Sequence, residues 1–149
     1  MSDDADPTRR RARWMSVLAR ATADELAAGL PAVPAYTRLR GPEVGLVMVR
    51  GRAGGSGNPF NLGEATVARC TVRTPSGTVG HAYCLGRDLR QAELAAVLDA
   101  LLQDPDTGPA LEAQVVAPLA EAQAARRALV ARRAAATQVQ FFTLATMRS

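Results

Sequence analysis

The period of the apolar positions changes along the chain, and each change marks an element. Over residues 9–29, Trp14, Val17, Leu18, Ala21 and Leu26, with Leu30 just beyond, recur close to every 3.6 residues. Arg9, Arg10, Arg13 and Arg20 lie largely off that stripe, so the segment predicts an amphipathic helix stopped by Gly29 and Pro31. Residues 1–8 are polar and predict a disordered tail ahead of a single domain spanning 9–149. Tyr36 to Arg40 reads as a short strand, and Gly41-Pro42 as a turn. Val44 to Val49 is apolar on both alternating faces, the pattern of a strand covered on both sides. Residues 65–74 predict a third strand, and Pro75-Ser76-Gly77 a tight hairpin into a fourth, Thr78 to Leu85.

The period then returns to that of a helix. Asp88 is an N-cap for a helix whose broad apolar face comprises Leu89, Ala92, Leu94, Ala96, Val97, Leu98, Leu101 and Leu102. DPDTGP, residues 104–109, breaks it. A last helix runs from about Ala110 to Ala136, with a kink expected at Pro118, which has no amide hydrogen and crowds the preceding turn. QVQFFTLAT, residues 138–146, is rich in β-branched and aromatic residues and reads as extended. The expected fold is therefore α+β: an antiparallel meander of about four strands, an N-terminal helix, two C-terminal helices with the last one kinked, and an extended C-terminal segment.

Composition modifies this picture in two ways. Of the 149 residues, 48% are apolar but only 4% aromatic, and much of the apolar share is alanine. A core built that way is thin, which raises the chance that apolar surface is buried against a partner. The formal charge of +4 suggests an anionic partner, yet all 18 basic residues are arginine and none is lysine. That bias reads as compositional, with many arginines standing where a lysine would serve. Cys70 and Cys84 are too few for a disulfide framework, no secretory signal precedes the fold, and no apolar run is long enough for a bilayer, so a soluble cytoplasmic protein is expected.

Chemistry concentrates between Arg50 and Glu64, where Gly51, Gly54, Gly55, Gly57 and Gly63 join Asn58, Pro59 and Asn61. Glycine and asparagine tolerate positive φ and let the backbone approach another molecule. A Walker loop is excluded by the lack of lysine, and the dinucleotide fingerprint by Phe60 at the place of its third glycine. With one histidine and two cysteines, no four-ligand zinc site forms within the chain. Cys70 and Cys84 are expected roughly across the hairpin from one another, as small buried thiols. His81 and Cys84 fall on opposite faces of their strand and do not make a nucleophile pair; His81 is read as a lone acid/base, an anion contact or a satisfied sheet histidine. Arg50, Arg52 and Arg69, with the amides of Gly54, Gly55 and Gly57, suit an anion-binding concavity to which Asn58, Asn61 and Glu64 add polar groups. A loop docked on a partner chain explains the same residues, and both readings stand.

The stretches LRGPEVGLVMVRGRAGGSGNPFNLGEATVARCTVR, GTVGHAYCLGRDLRQAELAAVLDALLQ and VQFFTLAT, with RWMSVLARA near the start, closely resemble the PhnG family, small subunits of the bacterial carbon–phosphorus lyase core complex. The likeness runs roughly from Arg13 to Thr146. It implies an accessory subunit acting with larger H, I and J subunits, chiefly I, in a step where a phosphonate displaces adenine from ATP to give a ribose 1-phosphonate 5-triphosphate. It assigns no catalytic residue, cofactor or metal to this chain. The alternative suggested by the basic pI and the Arg-Gly-Arg-Ala-Gly-Gly string is a stand-alone nucleic-acid-binding domain, disfavoured by the scarcity of aromatics for base stacking.

Overall fold

The computed structural model describes residues 6–30 and 32–137. The first helix, α1 (Pro7–Leu18), is capped by Asp6, whose carboxylate accepts the Thr8 amide hydrogen at 2.9 Å. It opens at Pro7 rather than Arg9 because proline's preset φ suits the first helical position. Of the expected tail, residues 6–8 thus belong to the helix start, and residues 1–5 lie outside the described residues. The apolar stripe over 9–29 is not one helix. Thr22 and Glu25 form a reciprocal capping box that starts α2 (Ala23–Ala28) in the middle of it. The carbonyls of Ala19 and Ala21, freed by that break, accept from the Gln91 side chain at 3.2 and 2.6 Å. The stripe still reaches the core: Trp14, Val17, Leu18, Ala21, Leu26 and Leu30 are all buried.

The sheet has three antiparallel strands rather than about four: β1 (Thr37–Arg52), β2 (Pro59–Arg73) and β3 (Val79–Leu85), in that order across the sheet. The two strands expected around Tyr36–Arg40 and Val44–Val49 are one, because Gly41-Pro42 is absorbed as an irregularity rather than a turn. Register shifts fall between Arg38 and Arg40 and between Arg40 and Glu43. Proline cannot donate to a ladder, and an edge strand with a bulge is where a sheet tolerates it. The glycine segment likewise yields most of its length to strand: pairing continues through Arg52↔Pro59, leaving only residues 53–58 as the turn. The β2–β3 hairpin is as expected, with Gly77 at φ 91° donating to the Thr74 carbonyl.

Helix α3 (Leu89–Leu102), capped by Asp88 as expected, lies between one sheet face and a layer made of α1, α2 and α4 (Gly108–Leu111). A helix packed on two sides must be apolar nearly all round, and Ala92, Leu94 to Ala100 and Leu102 are buried. The close approach to β3 requires Gly80, where an added Cβ would run into the Ala96 carbonyl and the Ala100 amide. Within this apolar helix Asp99 is 1% exposed. Its carboxylate accepts from Nε and Nη2 of Arg11 (3.2 and 2.7 Å), from the Trp14 indole (2.9 Å) and from the His81 backbone amide (2.9 Å).

The last helix is kinked as expected. Glu112–Val116 forms a π-type turn between α4 and α5 (Ala117–Ala136), widening the helix just before Pro118 and making room where the proline ring would crowd the Gln114 carbonyl. Arg10 and Arg13 both hold Glu112, Gln123 donates to the Val17 carbonyl at 2.9 Å, and Arg126 pairs with Glu25. Gln123 is the last buried residue of α5, and beyond Arg126 the helix continues with Leu129 and Val130 exposed. The extended segment expected over 138–146 lies outside the described residues.

Asp99 binds α1 and the edge of β3 to α3, so Asp99→Ala leaves an indole, an amide and a guanidinium without their acceptor. Breaking a buried ion pair on one side costs about 3 kcal/mol. Urea unfolding of the purified chain is expected to show that loss, with the unfolding slope unchanged.

Candidate interaction site

Only residues Val67 to Arg73 of β2 pair with β3. Beyond Val67, β1 and β2 leave the body together as a two-stranded ribbon, Leu46–Arg52 against Pro59–Thr66. Cross-strand partners share a face, so Val44, Leu46 and Met48, opposite Ala68, Thr66 and Glu64, continue the face on which α3 packs. Ala68 is fully buried there, whereas Leu46 is 58% and Met48 52% exposed, because α3 does not extend over them. Phe60 and Leu62 are exposed nearer the tip. The expectation that Val44–Val49 is covered on both sides therefore fails among the described residues. A two-stranded ribbon with bare faces is marginal by itself, and a contiguous apolar face of this kind marks a contact surface.

The residues singled out from the sequence fall into separate groups. Arg69 and His81 sit at the base. Arg69 donates to Glu43 at 2.8 Å, and Arg40 does so at 2.7 Å; their hydrogen bonds, Arg40's first, hold the Glu43 carboxyl below its ordinary pKa. Gly45 leaves the space that the Arg69 guanidinium occupies. His81 is exposed, with Nδ1 3.2 Å from the Thr71 hydroxyl. Arg50, Arg52, Gly54, Gly55, Gly57, Asn58 and Asn61 are at the tip, and Glu64 lies between, opposite Met48. Arg69 and Asn61 are separated by eight residues of extended strand, roughly 27 Å. One concavity cannot include both ends, so Arg69 and His81 do not join the tip residues.

At the tip, Arg50, Gly51 and Arg52 pair in regular register with Asn61, Phe60 and Pro59. Arg50 and Arg52, two positions apart, project from one face and with Gly51 and Pro59 line a shallow open hollow. Gly54 and Gly55 take φ of 61° and 79°, which a side chain would strain. At Gly57 a Cβ would stand 2.7 Å from the Ala53 carbonyl oxygen. The turn is braced by the Gly57 amide donating to that oxygen at 3.0 Å, and by Arg52 donating to the Gly57 carbonyl at 3.3 Å. Neither tip arginine has a carboxylate partner among the described residues, whereas Arg10, Arg11, Arg38, Arg40, Arg69, Arg90 and Arg126 each have one.

Catalytic chemistry finds little support in these side chains. Cys70 and Cys84 lie on one face but diagonally, opposite Ala82 and Ala68 respectively. Both are buried free thiols. Burial raises the Cys70 pKa and pushes that of Cys84 up to about 11. Among the described residues no group of three or more His, Cys, Asp or Glu is placed to hold a metal ion, and no helix is long and apolar enough to cross a membrane. The exposed run Val44, Leu46, Met48 was invisible as a surface in the sequence, where an uncharged β-forming run looks like core. Asp99 had one signal, a lone acid inside an apolar helix. Because a raised pKa keeps each thiol protonated and unreactive until the pH approaches it, iodoacetamide at pH 8 is expected to leave both cysteines unmodified in the native chain and to alkylate both in urea, read by mass spectrometry.

A sequence profile described as phosphonate metabolism protein PhnG matches residues 9–147. The chain is 49% identical over 148 residues, covering 96% of itself and 92% of the relative, to alpha-D-ribose 1-methylphosphonate 5-triphosphate synthase subunit PhnG from Rhizobium meliloti (strain 1021). A match of that extent, running through the ribbon and the helical body alike, shows the family: this chain belongs to the PhnG family of phosphonate metabolism proteins.

Proposed function

We propose that this chain is an accessory, non-catalytic subunit of a ribose 1-methylphosphonate 5-triphosphate synthase, acting in the cytoplasm with larger H, I and J subunits and chiefly with I. In that complex a phosphonate displaces adenine from ATP, giving ribose 1-phosphonate 5-triphosphate; this chain holds no cofactor of its own. The relative's description as a synthase subunit supports the reading. The observation that carries it is the ribbon. Its apolar face, Val44, Leu46 and Met48, is continuous with the core face yet bare among the described residues. A larger subunit that receives the ribbon would supply the missing layer, and burial of such side chains contributes roughly 1.5–3 kcal/mol each.

Co-expression with the I subunit, followed by size-exclusion chromatography, tests this directly. The wild-type chain is expected to co-elute, whereas Leu46→Asp with Met48→Asp is expected to fold, by circular dichroism, and to elute alone. Separate elution of the wild-type chain would refute the reading.

A further inference from the structure

The ribbon divides into a shaft that presents Leu46 and Met48 and a far end where Phe60 and Leu62 are exposed beside Arg50 and Arg52 and the turn itself is nearly bare of side chains. Ala53, Gly54, Gly55, Ser56 and Gly57 carry no side chain larger than a hydroxymethyl group, so the turn itself offers a protein partner little apolar area. The tip offers two guanidinium forks, Arg50 and Arg52, on one face beside an open hollow. Their geometry is prepared: just past a register shift at Val49/Arg50, pairing with Asn61 and Pro59 holds both backbones, and the Arg52 bond to the Gly57 carbonyl braces one fork against the turn. Several arginines of the body hold their charge in ion pairs, whereas these two, like Arg73 and Arg87, have no carboxylate partner among the described residues, and they lie about 27 Å from the nearest paired one on β2. The tip's charge, its small residues and its reach suit an anion lying deep in a cleft formed by other subunits.

We propose that Arg50 and Arg52 bind the polyphosphate chain of the triphosphate substrate inside the assembled synthase, so that this subunit completes the phosphate end of a site otherwise built by its partners. The inference rests on the subunit reading above and adds the ligand class. Guanidinium forks match phosphate oxygens two at a time, and the bonds they make are charge-assisted. The close approach of glycine backbone leaves room for a chain of phosphates against the hollow. Arg69 and His81, at the other end of the ribbon, take no part.

The test uses the complete complex carrying Arg50→Gln, Arg52→Gln or both, with assembly checked by light scattering. Loss of a charge-assisted hydrogen bond weakens binding about tenfold. The KM for ATP is therefore expected to rise about tenfold in each single variant and further in the double variant, with the KM for the phosphonate changed less than about twofold. Inorganic tripolyphosphate is expected to inhibit the wild-type complex in competition with ATP and to lose potency in the variants, while Arg→Lys variants recover part of the affinity. An assembled double variant with unchanged ATP KM and tripolyphosphate inhibition would overturn the inference while leaving the subunit reading intact. A double variant that no longer assembles assigns the arginines to the protein interface and equally overturns it. Equal rises in both KM values would also count against it, as a general disturbance of the site.

Discussion

The body of this protein depends on one buried carboxylate. Asp99 sits in the last turn of α3, the helix that every layer touches, and receives donors from α1 and from the edge of β3 at once. The contacts around it are mostly small: Ala92, Ala95, Ala96 and Ala100 line the same helix. Alanine packs closely but not directionally, so hydrophobic burial alone leaves the placement of α1 loosely specified. Hydrogen bonds to an ion in a low-dielectric interior are directional and costly to leave unmade. They therefore fix where α1 lies, and they occupy an edge amide that would otherwise invite another strand.

Large and small apolar residues are distributed unevenly as a consequence. Where backbones must meet, at Gly80 and the alanines of α3, side chains are minimal. Several of the bulkier ones, Leu46, Met48, Phe60 and Leu62, stand on the ribbon outside the core. A chain that places such groups on a projecting arm completes its burial by association, and the far half of α5, with Leu129 and Val130 exposed, repeats the pattern in helical form. Membership of the PhnG family agrees with a molecule built in this way.

The exclusive use of arginine also acquires a structural meaning that composition did not suggest. Glu112 accepts from Arg10 and Arg13, and Glu43 from Arg40 and Arg69. Burial opposes the charge on Glu93, but hydrogen bonds from Arg38 and Tyr36 outweigh it and leave its pKa lowered. A planar fork with several fixed donors suits a shared carboxylate better than an ammonium point charge. At these shared carboxylates arginine does what lysine would do poorly.

The sequence by itself determined what local chemistry can encode: the α+β class, the Asp88 cap, the Pro75–Gly77 hairpin, the kink before Pro118 and the burial of the Trp14–Leu30 stripe. Each follows from a spacing, a cap or a missing amide hydrogen that acts within a few residues. Tertiary structure alone decided the rest. Gly41-Pro42 reads as a turn until a pairing strand absorbs it as a bulge, and Thr22–Glu25 divides a continuous stripe because Gln91, some 70 residues away, satisfies the carbonyls at the break. The run Val44–Val49 has one pattern for two fates, core or projecting arm, and only the length of α3 determines which. Likewise the tip arginines and Arg69 are close in sequence but lie at opposite ends of an extended hairpin, since strand rise, not residue count, sets the distance between them.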